Sequence, residues 1–406
     1  VLTLSGSATV AQYQSALRTV TYSSSSEDPT STSASRTVSW QVTDANSDGA
    51  GAQNSSAVTS TINLTASNDT PVATAGATLA YSENGSAAAI DNTIALSDAD
   101  DSQITGATVT LSSGLTSGDT LGFTTQNGIS GSYNSSAGVL TLSGSATVAQ
   151  YQTALRTVTY SSSSEDPTSG SASRTVSWQV TDANSDGAGA QNSSAVTSTI
   201  NLTASNDTPT ATAGGTLAYS EHDSATAIDS TLTLSDSDDT QFTAATVTIS
   251  SGLTSGDTLG FTTQNGISGS YNSGSGVLTL SGSATVAQYQ AALRSVTYIN
   301  STDDLTSTSA SRTISWQVTD ANSDGAGAQN SSSVTSTINI TATNDTPVAT
   351  AGATLAYSEN GSAAAIDTSI TLSDVDDSQI AGATVTLSSG FTSGDTLGFS
   401  TQNGIS

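Results

Sequence analysis

The chain has 406 residues and a formal net charge of −28, with six arginines, one histidine, no lysine and no cysteine. This composition excludes disulfides and thiolate metal sites, and it leaves no basic patch for nucleic acid or anionic lipids. Apolar residues make up 34% of the chain and charged residues 10%, so Ser, Thr, Asn and Gly fill much of the remainder. That balance favours thin β-structures that face water on both sides, and no apolar run is long enough for direct membrane insertion.

An internal repeat organises the sequence. The run Val1-Leu2-Thr3-Leu4-Ser5-Gly6 returns at Val139 and again at Val277, each 138 residues after the copy before it. A period of this length can hold its own hydrophobic core, so the sequence predicts a string of near-identical domains.

The chain begins and stops on the two sides of one Gly/Ser-rich segment of the period. This segment corresponds to residues 131–138 and 269–276, and its composition predicts a surface loop. We interpret the sequence as a window on a longer protein, or as a processed piece of one.

Alternating apolar residues mark short strands along the period from Pro71 to Asp207. Each run has a period of two and is flanked by Gly, Ser, Asn or Asp, which is typical of half-buried strands. About seven such runs predict an all-β fold of tandem immunoglobulin-like β-sandwiches. The alternating residues are Ile94 and Leu96; Ala107, Val109 and Leu111; Leu121 and Phe123; Leu140 and Leu142; Val158 and Tyr160; Val176, Trp178 and Val180; and Val196, Ile200, Leu202 and Ala204.

One segment of the period has helical spacing instead. Val148, Tyr151 and Leu155 lie at i, i+3 and i+7, with Ser145 or Thr147 available as N-cap. We predict one short helix per domain that crosses between the sheets with Tyr151 and Leu155 facing inward.

Two large side chains on one later strand have structural interpretations. Trp178 shares a face with Val176 and Val180, so we expect a core tryptophan rather than a ligand-stacking one. Arg174 lies on the same strand, and an ion pair with a nearby carboxylate is expected for it rather than ligand binding.

The motif Asn-Asp-Thr-Pro recurs at residues 68–71, 206–209 and 344–347 and predicts the domain boundaries. Proline favours extended geometry in the residue before it, so each joint is expected to be a short, stiff tether. The predicted divisions are residues 1–69, the C-terminal half of a β-sandwich repeat; residues 70–207 and 208–345, two complete repeats; and residues 346–406, the N-terminal half of a repeat.

Three acidic clusters recur in each period. They are Glu83-Asn84, Asp98-Ala99-Asp100-Asp101 and Asp182-Ala183-Asn184-Ser185-Asp186-Gly187. Closely spaced carboxylates and carbonyls suit Ca²⁺, which takes six to eight oxygen ligands. The third cluster opens like an EF-hand loop, but Ser193 stands at the twelfth position, so it is not an EF-hand. Calcium ligation and ordinary Asx turns both fit these clusters.

These motifs, in this order, resemble cadherin-like repeats, especially those of giant bacterial surface adhesins. The resemblance lies in Glu83-Asn84, in Asp98-Ala99-Asp100, in Asp182 after the tryptophan strand, and in the Asn-Asp-x-Pro linker. The run from Leu140 to Asn206 is also similar to the repeat consensus of such adhesins. The resemblance covers every period and implies a linear string of cadherin-like β-sandwiches.

The resemblance further implies Ca²⁺ between the domains, which would stiffen the string. Ala204 stands where the family has its first linker acid, and the Leu-Asp-Arg-Glu motif has no equivalent after Leu142, so we expect about one ion per joint rather than three. The implied ligands are Asn68, Asp69, Asp98, Asp100 and Asp182 at the first joint; Asn206, Asp236, Asp238 and Asp320 at the second, with Glu83 and Asp207 for a neighbouring ion; and Asn344, Asp374 and Asp376 at the third, with Glu221 and Asp345.

Nothing in the sequence predicts an enzyme. The single histidine, His222, stands where the other copies have Asn84 and Asn360, and we interpret it as drift between copies. A Ser–His–Asp triad needs an imidazole, and the sequence has none other than His222. The acidic residues cluster in turn-like segments at strand ends, which suits metal ligation or turns.

Three functions are compatible with the sequence. The first is a calcium-stiffened stalk in a secreted, extracellular bacterial surface adhesin or matrix fibre, whose partners are further copies of itself or a continuation of the chain. The second is a self-assembling filament subunit, in which the half-domains 346–406 and 1–69 join head to tail. The third, a carbohydrate-binding module, would need exposed aromatic residues in a cleft and ranks last.

Overall fold

The computed structural model describes residues 1–184, 187, 189–303, 305, 306, 308–322, 325 and 327–406. Asp186 of the third acidic cluster lies outside the described residues. The chain divides into two compact units, Val1–Ser205 and Asn206–Ser406. This division lies two residues before the predicted boundary at Asp207, and the division into four segments stays a prediction.

The regular secondary structure of the first unit is mostly β-strand. Its first 69 residues form one helix and one hairpin, and the remainder forms a sandwich with a second helix. The elements are α1 (Val10–Leu17), β1 (Ser35–Trp40), β2 (Val58–Asn63), β3 (Val72–Thr74), β4 (Thr78–Ser82), β5 (Ala88–Ala89), β6 (Ala95–Ser97), β7 (Gln103–Ser113), β8 (Asp119–Gly122), β9 (Ser130–Asn134), β10 (Val139–Thr147), α2 (Val148–Leu155), β11 (Thr159–Ser162), β12 (Ser173–Asp182) and β13 (Val196–Thr203).

The sandwich of the first unit has two main sheets. The larger has six strands in the order β4-β13-β12-β7-β10-β9, and the smaller has three in the order β5-β11-β8, while β3 pairs with β6. Side chains of both sheets, among them Val109, Trp178, Leu121 and Tyr160, meet in one buried core. This arrangement confirms the predicted all-β sandwich fold.

The edge pair β4–β13 differs from the other strand pairs of this sheet because it is parallel. Thr78 lies opposite Thr199, and the register continues to Ser82 opposite Thr203, which gives five residue pairs. This pairing joins the first strand of the six-stranded sheet, in chain order, to the last strand of the same sheet.

The second unit repeats this architecture with the same strand orders, β15-β24-β23-β18-β21-β20 and β16-β22-β19, together with the pairs β14-β17 and β25-β26. Its elements are β14 (Thr210–Thr212), β15 (Thr216–Ser220), β16 (Thr226–Ala227), β17 (Thr233–Ser235), β18 (Gln241–Ser251), β19 (Thr258–Gly260), β20 (Ser268–Asn272), β21 (Val277–Thr285), α3 (Val286–Arg294), β22 (Thr297–Ile299), β23 (Ser311–Asp320), β24 (Val334–Thr341), β25 (Val348–Thr350) and β26 (Thr371–Ser373).

The predicted helix forms in each copy of its sequence. In α2, the Thr147 side chain accepts a hydrogen bond from the Gln150 backbone N–H, and the Gln150 side chain caps the Thr147 N–H in return. Tyr151, Ala154 and Leu155 are buried on its inner face. The prediction of inward Tyr151 and Leu155 is confirmed, and Thr147 rather than Ser145 is the N-cap.

The segment at residues 131–138 is a β-hairpin and not the surface loop that its composition predicted. Strand β9 covers Ser130–Asn134 and pairs with β10, so only the turn after Asn134 is irregular. Gly131 is needed for close packing: a Cβ there would lie 2.9 Å from the Phe123 ring and 3.1 Å from a Leu142 methyl group. Residues 269–276 depart from the loop prediction in the same way, through β20.

The complete copy in the first unit also has more strands than the roughly seven predicted. The strands from β3 to β13 number eleven, because turns divide the early part of the copy into strands of two to five residues. One such turn is organised by Asp91, which is buried and accepts hydrogen bonds from the backbone N–H groups of Gly76, Ala77 and Thr93. The Thr93 and Ser198 hydroxyl groups also donate to Asp91, and together with the N–H groups of Gly76 and Ala77 they outweigh the effect of burial and lower the pKa of Asp91.

A buried ion pair connects the two sheets of each complete copy. The Arg174 Nε donates to Asp119 Oδ2 at 2.7 Å, and both side chains are fully buried. Tyr160 donates to the other Asp119 oxygen at 2.6 Å, and Arg174 also donates to the Pro167 carbonyl. The prediction of a structural ion pair for Arg174 is confirmed, and so is the core position of Trp178, which is 1% exposed.

Residues 1–69 and 346–406 have the same sequence features but lack this packing. Helix α1 has the same capping box as α2, yet none of its residues is buried. Among the described residues, the exposed large apolar side chains all belong to these two segments, apart from Val72. The exposed aromatic residues Tyr22, Tyr357, Phe391 and Phe399 are among them.

Candidate cation sites at the strand ends

The ends of two strands and the segment before β3 meet in the first unit. Asp182 ends β12, and Asp98–Asp101 follow β6. The Asn68 Nδ2 donates to Asp182 Oδ2 at 2.8 Å, and the Asp69 N–H donates to Asp100 Oδ2 at 2.9 Å. The structure therefore brings the implied ligands of the first joint together in one cluster.

The acidic segment after β6 is itself an Asx turn. The Oδ1 of Asp98 accepts hydrogen bonds from the N–H groups of Asp100 at 3.2 Å and Asp101 at 3.0 Å. The Asp101 Oδ2 accepts from the Asn184 N–H at 3.1 Å, which ties the loop after β12 to this turn. The Asx turn expected from the acid-rich sequence is thus present, and its hydrogen bonds use only one of the two carboxylate oxygens of Asp98.

Three buried oxygen atoms of this cluster have no hydrogen-bond partner among the described residues. They are Asn68 Oδ1, Asp98 Oδ2 and Asp100 Oδ1. A buried polar atom without a partner is costly, and amide and ionised carboxylate oxygens, which only accept, cannot satisfy each other. A bound cation would supply the missing interaction, and carboxylate and amide oxygens are the ligands that Ca²⁺ takes.

Asp182 has a different position in the cluster from the one implied by the resemblance. Its Oδ2 accepts from Asn68, and its Oδ1 accepts from the Gln191 N–H at 2.9 Å, so hydrogen bonds engage both oxygens. The contact with the Asn68 Nδ2 turns the other end of that amide, Oδ1, away from Asp182. Asp182 therefore orients a candidate ligand.

Burial and the neighbouring Asp100 carboxyl together raise the pKa of Asp98 to about 6, against the backbone hydrogen bonds that lower it. Burial and Asp238 likewise raise the pKa of Asp236 to about 7. Both shifts express first the cost of burying a carboxylate, and then the cost of placing it beside a second one.

The second unit contains the same cluster at equivalent positions. The Asn206 Nδ2 donates to Asp320 Oδ2 at 2.9 Å, and the Asp207 N–H donates to Asp238 Oδ2 at 2.8 Å. The unpartnered buried oxygens are again three: Asn206 Oδ1, Asp236 Oδ2 and Asp238 Oδ1. The recurrence of the same unsatisfied atoms in both complete copies shows that they belong to the repeat.

The third cluster is more open. The Asp345 N–H donates to Asp376 Oδ2 at 3.0 Å, and the buried Asp376 Oδ1 has no partner. Carboxylate oxygens of Asp374, Asp376 and Asp377 lie within 4.8 Å of one another. Asn344 is exposed and donates only to the Asp345 carbonyl among the described contacts.

Glu83 and Glu221 hold equivalent positions at the ends of β4 and β15. Glu83 Oε2 accepts from the Ser205 N–H at 2.8 Å, and Glu221 Oε2 accepts from the Thr343 N–H at 2.7 Å. Glu83 and Asp207, which were expected to share an ion, belong to different units. Each of the two glutamates anchors the segment that follows the last strand of its copy.

A further group around Glu221 includes two residues that the sequence did not single out as ligands. Ligand atoms of Glu221, His222, Asp303 and Asp345 all lie within 4.8 Å of one another. The sequence did contain a signal for this group, because this copy has His222 where the other copies have asparagine. Nothing in the sequence marked Asp303 as a ligand, because the residues that lie near it in the fold are distant along the chain.

No protein-family model matches the chain. Halomucin from Haloquadratum walsbyi is 36% identical over 113 residues, which are 26% of this chain and 1% of halomucin. The chain therefore spans about one hundredth of the length of that protein.

Cadherin ectodomains are among the similar solved structures. The protocadherin gammaB7 EC3-6 cis-dimer structure has a TM-score of 0.30 at 14% identity, covering 78% of this chain and 60% of the other. The protocadherin gammaB4 extracellular domain has a TM-score of 0.28 at 13% identity, covering 77% and 40%. Mouse protocadherin-24 EC1-3 has a TM-score of 0.25 at 12% identity, covering 76% and 80%. Overlap this low does not identify a family, and the site rests on the chain's own residues.

Among the described residues, the longest helix has nine residues, Val286–Arg294. None of the helices there is both long and apolar enough to span a bilayer.

Proposed function

We propose that this chain is a structural repeat segment of a large extracellular surface protein or matrix fibre, and that Ca²⁺ at its joints stiffens it. The proposal rests on the three buried oxygens without a described partner in the cluster that contains Asn68, and on the equivalent three in the cluster that contains Asn206. The 36% identity with halomucin over 113 residues and the net charge of −28 support an extracellular repeat role. The proposed role is mechanical and non-enzymatic, and a bacterial origin stays a prediction.

In the proposed site, one ion at the first joint is bound by Asn68 Oδ1, Asp98 Oδ2 and Asp100 Oδ1. The remaining positions of a six- to eight-coordinate Ca²⁺ are open to carbonyls and water. Asn206, Asp236 and Asp238 form the equivalent set at the second joint. Because each ion contacts both the linker asparagine and the turn after the fourth short strand of the next copy, it fixes one to the other.

Calcium titration of the 406-residue chain tests this site. We expect calorimetry to detect uptake at or below millimolar Ca²⁺, and the melting temperature to rise with Ca²⁺ because the ion binds only the folded form. Asp100→Asn and Asp238→Asn should each remove about one ion. Asp44→Asn is the matched control, because Asp44 is the exposed counterpart of Asp182. No uptake at millimolar Ca²⁺ would overturn the proposal.

Stiffening needs its own measurement. The chain has no cysteine, so spin labels on Thr61→Cys and Thr141→Cys, both at exposed positions of the first unit, report one distance distribution. We expect Ca²⁺ to narrow this distribution, and Asp100→Asn to abolish the narrowing. A distribution that keeps its width in saturating Ca²⁺ would contradict stiffening even if the ion binds.

A second function, head-to-tail assembly, is favoured by one specific observation. Arg36 is the counterpart of the buried Arg174, but among the described residues it donates only to the carbonyls of Ser33, Ser35 and Pro29. Asp395 is the counterpart of Asp119, and its described hydrogen bonds come from Thr392 alone. Each terminal segment therefore has one member of the ion pair that each complete copy buries.

The strand order of the complete copies specifies how two chains would join. In a complete copy, β7 lies between β10 and β12. Residues 379–389 of one chain are the counterpart of β7, whereas residues 1–9 and β1 of another chain are the counterparts of β10 and β12. We propose that the first segment supplies the central strand between the other two, which also covers the exposed apolar residues of both segments.

Sedimentation velocity over a range of chain concentrations tests this assembly. We expect species larger than the monomer, and we expect Arg36→Asp and Asp395→Arg to each prevent them. Mixing these two variants should restore assembly of alternating chains, because each junction between unlike variants then pairs one acidic with one basic side chain. A monomer at every concentration, or assembly unaffected by both variants, would refute this function.

A further inference from the structure

The turn after β15 places a histidine beside a buried glutamate. Glu221 follows the strand and is 5% exposed, and its N–H donates to the Thr341 carbonyl at 3.0 Å, which continues the parallel ladder. His222 has φ of 64°, in the left-handed region that asparagine and histidine tolerate better than most residues. The backbone thus fixes both side chains at the end of one strand.

The equivalent turn of the other complete copy shows what the histidine replaces. There Asn84, with φ of 55°, donates through Nδ2 to Glu165 Oε2 at 3.1 Å and to Glu83 Oε1 at 3.4 Å. The amide of Asn84 thereby supplies hydrogen bonds to both carboxylates.

With histidine in this position, the equivalent glutamate oxygen loses that donor. Among the described residues, the buried Glu221 Oε1 has no hydrogen-bond partner, while Oε2 accepts a hydrogen bond from the Thr343 N–H. The His222 Nε2 lies 3.8 Å from Asp345 Oδ2. Asp303, the counterpart of Glu165, adds a third carboxylate within 4.8 Å of the same group of ligand atoms. The imidazole therefore faces three carboxylates, one of which has a buried oxygen with an unmet need for a positive partner.

We infer that Glu221, His222, Asp303 and Asp345 form a site for a borderline divalent cation such as Zn²⁺. The other complete copy has Asn84 in place of the histidine and therefore lacks the imidazole ligand. Two ligands of a tetrahedral Zn²⁺ with bonds near 2.0–2.1 Å are separated by about 3.3 Å, close to the observed separation of His222 and Asp345. An imidazole nitrogen favours Zn²⁺ or Cu²⁺ over Ca²⁺, which takes oxygen ligands. The substitution of one residue changes the cation preference of one joint.

This inference uses Glu221 and Asp345, which the resemblance to cadherin-like repeats implied as calcium ligands at the third joint, but it does not require Ca²⁺ to bind. The two can fail separately, because the three-oxygen clusters around Asn68 and Asn206 contain no histidine. Zinc uptake without calcium uptake would overturn only the proposed function, and the reverse result would overturn only the present inference.

The test uses the full chain and Zn²⁺ alone, with His222 as the single imidazole to be observed. In a long-range ¹H–¹⁵N spectrum, we expect one equivalent of Zn²⁺ to shift the Nε2 resonance. His222→Asn should weaken the tightest zinc binding by at least about tenfold, since even outer-sphere changes at metal sites cost that much. This variant is conformationally safe because the other copies have asparagine at the same left-handed position.

Two further measurements complete the test. Cu²⁺ bound to the wild-type chain should show hyperfine coupling to one imidazole nitrogen, and this coupling should be absent in His222→Asn. Asp303→Asn should weaken Zn²⁺ while leaving the imidazole in place. Equal zinc affinity in wild type and His222→Asn, or an Nε2 resonance that does not move at saturating Zn²⁺, would overturn the inference.

Discussion

Residues 1–69 and residues 139–207 have nearly the same sequence but differ in what their side chains contact. Helices α1 and α2 differ only at Ser15 and Thr153 and have the same capping box, yet α2 buries three side chains and α1 buries none. Arg174 is fully buried against Asp119, whereas Arg36 donates only to nearby carbonyls. The comparison shows that the elements of this repeat depend on local sequence, while its core depends on residues from the earlier half of the period.

The largest contrast should come from the arginines. Arg174→Met leaves Asp119 buried without its partner, and removal of one member of a buried ion pair costs about 3–5 kcal/mol. Arg36→Met should change the free energy of unfolding of the monomer by less than about 0.5 kcal/mol, as expected for a position without buried partners. Urea unfolding of the two variants measures both values. Equal losses would mean that Arg36 is also part of a packed core.

The helix core gives the next contrast. Leu155→Ala removes a side chain that is 1% exposed, so we expect a loss of about 2–5 kcal/mol from the missing contacts and the cavity. Leu17→Ala, at the equivalent half-buried position of α1, should have little effect on the main unfolding transition. Thermal unfolding followed by near-ultraviolet circular dichroism tests the pair, and a cooperative loss in Leu17→Ala would contradict the assignment of α1 as unpacked.

Acidity should affect the complete copies through their strand-end clusters. The pKa of Asp98 is about 6 and that of Asp236 about 7 in the calcium-free fold, above the ordinary value of 3.8. Because the pKa of these carboxyl groups is higher in the folded form than in the unfolded form, the folded form takes up protons at a higher pH. The free energy of unfolding without calcium should therefore increase as the pH falls from 8 to 5. Excess Ca²⁺ should remove this increase by holding the carboxylates ionised.

Urea midpoints measured at several pH values, with chelator and with Ca²⁺, check this dependence. The double variant Asp98→Asn and Asp236→Asn should be nearly insensitive to pH over the same window. A calcium-free wild type that loses stability between pH 8 and pH 5 would contradict the assigned direction.

The smallest contrast concerns the helix caps, which are identical in the two regions. Thr147→Ala removes the N-cap of α2 and should cost about 1 kcal/mol of the free energy of unfolding. Thr9→Ala removes the same contact from α1, but it should alter only local helix content because that helix is not coupled to a core. A shift of the main transition by Thr9→Ala would show that α1 is coupled after all.

The sequence was sufficient for features that depend on near neighbours or on burial pattern. The alternation of apolar residues predicted the sandwich, the spacing of Val148, Tyr151 and Leu155 predicted the helix, and the position of Trp178 predicted its burial. The hairpin at residues 131–138 was missed because its glycine serves close packing against Phe123, which composition alone cannot distinguish from a loop.

The candidate sites were predictable only in part. Acidic residues at strand ends indicated where the clusters form, and the resemblance indicated which residues to group. The orienting position of Asp182 could not be predicted, since it depends on hydrogen bonds to Asn68 and Gln191 from distant parts of the chain. Asp303 was missed for the same reason: its proximity to His222 arises only from the fold.

The parallel pairing of β4 with β13 determines how a complete copy responds to pulling. The two strands run in the same direction, and the chain enters the copy near the start of β4 and leaves it after the end of β13. Tension along the chain therefore draws the strands past each other lengthwise, so that all five residue pairs are loaded together. An antiparallel pair pulled from one end would instead open one rung at a time. The β4–β13 pair at the edge of the sheet therefore resists tension in shear, and it must separate before the tension reaches the core.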